Sequence, residues 1–326
     1  MVRILVGDCS PEEREALAVL AHDVLTALLK GQGVELEGVV LKGDLMLDAL
    51  PLEPLPNHFE KSSLVKDRFA REKLEAVRIL RGPLIFRDVE VRGILATNLI
   101  DRGFLIVQSP VSITGSTFRR SVDFSRSVFQ ESVDFSGTTI EFEGFFIQAM
   151  FLNLANFTHT QFGTHSRFHK AVFADQALFS GATFLGLAEF LEVGWQKKAD
   201  FSHAKFQHGT GFSGSQFEEV PDFSNATFER ETFFRFAQFK QGANFRSGTF
   251  RMIADFTEVG FGGDSNFSHV NFQEPPQFTD EALARKFRSQ PALMDPQIQA
   301  GLFVLGGLFL VVFYYLFKAK NGKVLK

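Results

Sequence analysis

Eight histidines, a single cysteine and a recurring series of Asp and Asn are the residues from which chemistry could be built. Cys9 stands alone, which excludes an intrachain disulfide and a cysteine-based zinc site. Six of the histidines fall within residues 114–279: His159, His165, His169, His203, His208 and His269. His165 and His169 flank Phe168, with no cysteine and no evident carboxylate to join them as ligands. Asp134, Asn156, Asp200, Asp222, Asn244 and Asn266 share one 22-residue repeat, interrupted by Leu178. Such side chains bond neighbouring backbone in turns, or line up as an acidic ladder for cations. The sequence contains no phosphate-cradling glycine loop, no nucleophile elbow and no zinc-protease pattern. These residues therefore predict no catalytic, metal-binding or cofactor-binding site and no small-molecule substrate.

The elements that carry these residues are set by phenylalanine. The chain has 41 Phe against two Tyr and one Trp in 326 residues. One series runs from Phe124 through Phe135 and Phe146 to Phe278 in steps of eleven. The other runs from Phe118 and Phe129 to Phe272, also in elevens, with Ile140 and Trp195 the only departures from Phe. A short fixed period means a repeat architecture. Eleven also suits a right-handed helical supercoil. However, the segments are rich in Gly, Ser, Thr and Phe, and Pro221, Pro275 and Pro276 interrupt them. Two residues before each ring sits a small one, such as Val133, Thr138, Gly144, Ala149 or Ala155. Residues i and i−2 of an extended chain point to the same side. Each unit of five or six residues thus turns one large and one small side chain inward and then turns a corner.

Units such as Ser132-Val133-Asp134-Phe135-Ser136, Leu154-Ala155-Asn156-Phe157-Thr158 and Lys198-Ala199-Asp200-Phe201-Ser202 resemble pentapeptide repeats in their Phe-centred form. The resemblance covers about 114–279 and departs from the family pattern in that every second unit carries an extra residue. It implies an all-β repeat: a right-handed, four-sided β-helix with four units, here about 22 residues, per coil. Coils stacked at roughly 4.8 Å would make the regular part a rod roughly 35 Å long. On that spacing His159, His203 and His269 are roughly 10 and 14 Å apart, too far for one zinc with ligands near about 2 Å. Some members of the family imitate DNA. Here 114–279 holds thirteen basic and eighteen acidic residues, and the whole chain 34 and 38. That balance is thin for a phosphate mimic, and it argues against a nucleic-acid partner.

Outside the repeat, Ser10-Pro11-Glu12-Glu13 reads as a helix start. Leu17, Leu20, Val24, Leu25 and Leu28 follow on one stripe, so a helix is predicted over 11–30, ended by Gly31. Residues 34–50 alternate and turn at Gly38 and Gly43; Pro51, Pro54 and Pro56 read as a stiff linker, and 62–78 as a second helix. The predicted organisation is a small helix-containing α/β cap region over 1–81, irregular first coils over 82–113 and regular coils over 114–279. A linker follows over 280–297, then a transmembrane helix over 298–317 and a basic tail over 318–326. Residues 300–317 are AGLFVLGGLFLVVFYYLF, eighteen residues without a charge. As a helix they span about 27 Å, close to a bilayer core of about 30 Å.

The expected protein is therefore a non-enzymatic, single-pass membrane protein. It contacts the bilayer through 298–317 and offers rigid outer faces to a protein partner. An accessory or assembly role in a membrane complex is the alternative. Lys318, Lys320, Lys323 and Lys326 favour a cytoplasmic tail and an exported solenoid. MVRILVGDCSPEE is no signal peptide, so Met1 as the true start implies a cytoplasmic solenoid, and a missing upstream signal an exported one. The candidate docking patch is Leu185, Leu187, Leu191 and Trp195, with Phe142 and Phe145 a second apolar group beside Ile140.

Overall fold

The computed structural model describes residues 1–5, 9–56, 63–99 and 103–288. The expected transmembrane segment 298–317, the basic tail and most of the expected linker lie outside the described residues. Among the described residues no helix is long and apolar enough to cross a membrane.

Five or six residues per unit leave room for two or three in extended conformation before a corner, and most units form one such strand; Asp222, Asn244 and Asn266 continue sheet A as single bridges. The strands build four sheets of eight, ten, ten and eleven strands. One coil visits them in turn: Val111–Thr114 in sheet A, Thr117–Phe118 in B, Val122–Asp123 in C and Ser127–Phe129 in D. Val133–Asp134 then returns to lie parallel beside Val111–Thr114. The result is a parallel β-solenoid of about eleven coils. Its backbone hydrogen bonds run from coil to coil, as in Phe157 N to Leu178 O at 2.7 Å and Phe179 N to Asp200 O at 2.7 Å.

All thirty expected anchors point inward. Twenty-seven are buried, and Phe261, Phe272 and Phe278 in the last coils are partly buried against the same core. Along a column the rings stack nearly parallel at the rung spacing: Phe157–Phe179 at 4.8 Å and 9°, Phe162–Phe184 at 4.8 Å and 1°. Between columns they meet edge to face, as Phe168–Phe179 does at 5.5 Å and 89°. Both arrangements suit the ring quadrupole, at about 0.5–1.5 kcal/mol per pair beyond area burial.

The same columns reach back far before residue 82. Val133 pairs through Val111 and Leu84 with Val34, and Phe118 pairs through Val91 and Leu41 with Val19. There the interior is filled by two medium side chains where the later coils use one large and one small. Val34 with Leu36, and Val111 with Ile113, do the work of Ala155 with Phe157. Close packing fixes the volume per coil and leaves the split between positions free.

The two corner types explain the five-six alternation. Two residues after each ring of the Phe135 series from Phe124 to Phe267 the backbone is left-handed, as at Gly137 (φ +66°), Gln148 (+57°), His159 (+56°) and Lys170 (+56°). One such residue turns the chain within five. The six-residue units use their extra residue to turn without it; between Phe118 and Phe250 only Gly242 departs. A left-handed residue other than Gly costs about 1–2 kcal/mol. Stacking holds it in place, since its N–H donates to the next coil, as Gln148 does to His169 O at 2.8 Å.

The single helix expected over 11–30 is two. Helix α1 (Pro11–Ala16) carries the expected capping box between Ser10 and Glu13. Val19–Leu20 then leaves the helix to pair with Leu41–Lys42 of sheet B, and α2 (Ala21–Leu29) follows. Val24, Ala27 and Leu28 of α2 enter the core, whereas Leu17 and Leu20 are exposed. The strip of prolines is no linker: Leu52–Pro54 pairs antiparallel with Ala76–Leu80 at the edge of sheet D. Helix α3 (Ser63–Glu72) lies between those two strands in the chain and packs Val65 and Phe69 on the outer side of sheet D, against Ile79, Ile106, Val128 and Met150. At the other end, within the expected linker, α4 (Glu281–Arg288) sets Phe287 5.2–5.7 Å from Phe267, Phe272 and Phe278.

Phe179 touches rings above, below and on both sides. Phe179→Ala should cost about 3–5 kcal/mol in urea unfolding. A loss under about 1 kcal/mol would mean that the ring ladder is not what holds the coils.

Candidate functional site

Because the interior dictates every inward residue, the outward positions are free to vary, and sheet C varies most informatively. Its outward residues run through His165 and Arg167, Leu187 and Glu189, Gly209 and Gly211, then Phe233, in successive parallel rungs. Neither Gly209 nor Gly211 has a left-handed backbone, so no turn requires them. Their effect is a missing pair of side chains in one rung. Leu187 and Leu191 lean into that gap; a Cβ on Gly209 would lie 3.3 Å from the Leu187 Cδ2, and one on Gly211 2.9 Å from the Leu191 Cδ2. The outcome is an open groove of about 340 Å³ with Leu187, Leu191, Phe233 and Arg235 along its sides.

Charged groups frame this groove in pairs. Glu189 accepts from Arg167 Nε at 2.7 Å and contacts His165 Nε2 at 2.8 Å. Burial raises the Glu189 carboxyl, but the hydrogen bonds from His165 and Arg167 outweigh it and hold the group below the usual range. The Arg167 guanidinium lies 5.7 Å over the Phe145 ring. On the far side Arg235 lies 5.7 Å over Phe233 and pairs with the buried Asp255. These pairs neutralise Glu189 and Arg235 at the groove's sides, while Glu231, in register beyond Gly209, carries a half-buried carboxylate at its end.

Of the expected patch, Leu187 is 49% exposed and lines the groove with Leu191, and Leu185 is half-buried outside the lining. Trp195 does not belong to the patch. It is an interior anchor, fully buried and stacked between Phe173 at 4.5 Å and Phe217 at 5.6 Å. Its spacing in the ring series already places it inside. Phe233, Arg235, Phe236 and the two glycines were missed. The signal for the rings was available: within 114–279 only Phe142, Phe145, Phe233 and Phe236 fall off both series. Phe142 is 51% and Phe236 61% exposed. Phe236 also occupies a left-handed corner at φ +58°.

The other candidate residues resolve as structure. His159, His203 and His269 are exposed, left-handed corner residues. His165 and His169 each have a carboxylate after all, from the next coil: Glu189 at 2.8 Å and Glu192 at 3.7 Å. Among the described residues no group of three or more His, Cys, Asp or Glu could hold a metal ion. The Asp and Asn series caps turns. Asp134, Asn156, Asp200, Asp222, Asn244 and Asn266 each accept, through Oδ1, the backbone N–H two residues on, at 2.8–3.2 Å. Asp123 and Asp255 do the same on sheet C.

The fold and this surface define a parallel β-solenoid with an aromatic ladder inside and a glycine-floored apolar groove on one outer sheet. No family model, no curated protein and no solved structure matches the chain.

Two measurements follow from this geometry. Burial raises the Asp255 carboxyl, but hydrogen bonds from Thr257 and Arg235 bring it net below its ordinary value. The unfolded chain then binds the proton more readily, so this stabilisation is present above the ordinary carboxylate range and is lost as pH falls through the lowered value. Asp255→Asn should flatten the acid limb of stability against pH; an unchanged limb would contradict the assignment. Phe236→Gly should raise stability by about 1 kcal/mol by removing the left-handed strain, and a loss would show that the exposed ring is held by packing.

Proposed function

We propose that the protein is a non-enzymatic, membrane-anchored scaffold. In this reading it is a right-handed, four-sided β-helix of the pentapeptide-repeat type, with α2 and α4 as end caps. Residues 298–317 tie it to a bilayer, and the sheet C groove receives a protein partner. The observation that carries the reading is the contrast between inside and outside. The lumen is filled by rings and leaves no cleft for a substrate, whereas Leu187, Leu191, Phe233 and Phe236 place apolar surface where the core demands none. A rigid repeat rod offers such a face without rearrangement, and exposed apolar patches of this kind mark docking sites.

The anchor and the groove are tested separately. The full chain should resist alkaline carbonate extraction from membranes, and a chain ending at residue 297 should be released. Maleimide labelling of the lone Cys9 in intact and lysed cells reads the side on which the solenoid lies. Leu187→Ser with Leu191→Ser should remove at least one specific partner from a quantitative pull-down out of solubilised membranes, with the anchor unaffected. An unchanged partner set would exclude the groove as the docking site.

A further inference from the structure

The outer side of sheet D changes character halfway along. Its in-register outward column reads Ile79, Ile106, Val128, Met150, Val172 and then Gly194, Gln216, Gln238. Helix α3 covers the apolar part. Where that cover stops, a groove of about 550 Å³ opens over Gly194, bounded by Arg68, Arg71, Gln148, Lys170 and Gln216. Gly194 has an ordinary backbone, and the nearest atom to an added Cβ is 3.7 Å away, so the glycine keeps this floor bare without being needed for a turn.

The charges around the groove do not balance. Glu72 serves two arginines: it lies 3.5 Å from Arg68 and pairs with Arg126, which also sits 4.3 Å over Phe104. Arg71 donates to the carbonyl of Asp67 at 3.2 Å and has no carboxylate partner among the described residues. Arg68 is largely buried, its side chain 16% exposed, and donates to Lys170 O at 3.4 Å. Burial pushes its guanidinium below its ordinary value, and the positive charges of Arg71 and Arg126 push the same way against Glu72. The single carboxylate in the lining, Glu192, is exposed and only 3.7 Å from Lys170 and from His169, a geometry worth little in water. A partly desolvated cluster of cations with too few anions is stabilised by any oxyanion that reaches it.

We propose that this groove binds a phosphate group carried on a larger molecule, held by Arg68, Arg71 and Lys170. Cations from two elements, the helix and the coil corner, approach from different directions. That suits a phosphate with several equivalent oxygens better than a carboxylate, which one guanidinium fork satisfies. The groove is far larger than a phosphate ion, which leaves space for the group that carries it. The carrier is either a soluble phosphorylated molecule or the headgroup of a phospholipid.

The test uses the full chain already reconstituted in phosphatidylcholine nanodiscs, so that its anchor is occupied and no detergent is present, at fixed ionic strength, titrated by calorimetry. The two probes are inorganic pyrophosphate and nanodiscs of phosphatidylcholine with or without phosphatidylglycerol. Saturable binding of pyrophosphate or of the phosphatidylglycerol discs is expected, weakened about tenfold or more by Arg71→Ala and by Lys170→Ala. Both side chains lie outside the Arg126–Glu72 pair that fastens α3, so circular dichroism and melting should be unchanged. Binding of pyrophosphate alone identifies a soluble ligand. Preference for phosphatidylglycerol discs, lost in the same variants, identifies a headgroup. Absence of binding to both probes, or equal binding by wild type and both variants, overturns the proposal.

Discussion

Everything in this molecule follows from one constraint: each coil must fill the same interior volume at one rung spacing. The backbone ladder fixes the coil-to-coil distance, and a flat ring stacked on its neighbour at 4.8 Å fits that distance without tilting. Once the ring columns are set, the opposing inward position has to be small, and it shrinks from Val133 to Ala155, Ala177 and Ala199 as the neighbouring columns fill with Phe. The corners obey the same rule, since a left-handed residue that would be unfavourable alone is held by hydrogen bonds from the next coil. Stability is therefore shared between neighbours, and no residue of the repeat is independent of the one 22 positions away.

How much of this was legible depended on whether a residue's job was written as a pattern. The ring series placed its anchors inside because a strict period of eleven has one structural meaning once helices are excluded; Trp195 was nonetheless also assigned to the outward patch, against its own place in that series. The Ser10–Glu13 box and the turns at Gly38 and Gly43 were equally plain, each being a local device. The first coils were obscured because Val34 with Leu36 fills a coil without a ring, and aliphatic pairs carry no period of their own. The long helix failed because Leu17 and Leu20 continue a helical stripe while Val19–Leu20 is claimed by a strand partner, Leu41–Lys42, which no local pattern reveals.

The surface was less legible still, for a physical reason. Both grooves are made by absence: Gly209 and Gly211 on sheet C, Gly194 on sheet D. A glycine in a repeat rich in glycine reads as a corner until its backbone angles are known. Only the off-series Phe residues announce the outer face directly, since a ring that is not an anchor has nowhere to go but out. The two faces then differ in kind. One pairs most of its charges around an apolar floor; the other leaves the arginines of α3 under-compensated where that helix ends its cover of the sheet. A solenoid with an interchangeable interior can carry such unlike faces because neither disturbs the core.

The alternation of five and six residues also sets a phase for change in length. Each coil is two eleven-residue halves with the same corner and ring pattern, so the interior is blind to the gain or loss of eleven residues. The exterior is not: such a change moves every following side chain from sheet A to sheet C and from B to D, and one falling between Leu187 and Phe233 splits their groove between two sheets. Insertions and deletions of 22 residues keep both the core and the faces in step. Lineages of this rod that retain its surfaces should therefore differ in length by whole coils, although half-coils would fold equally well.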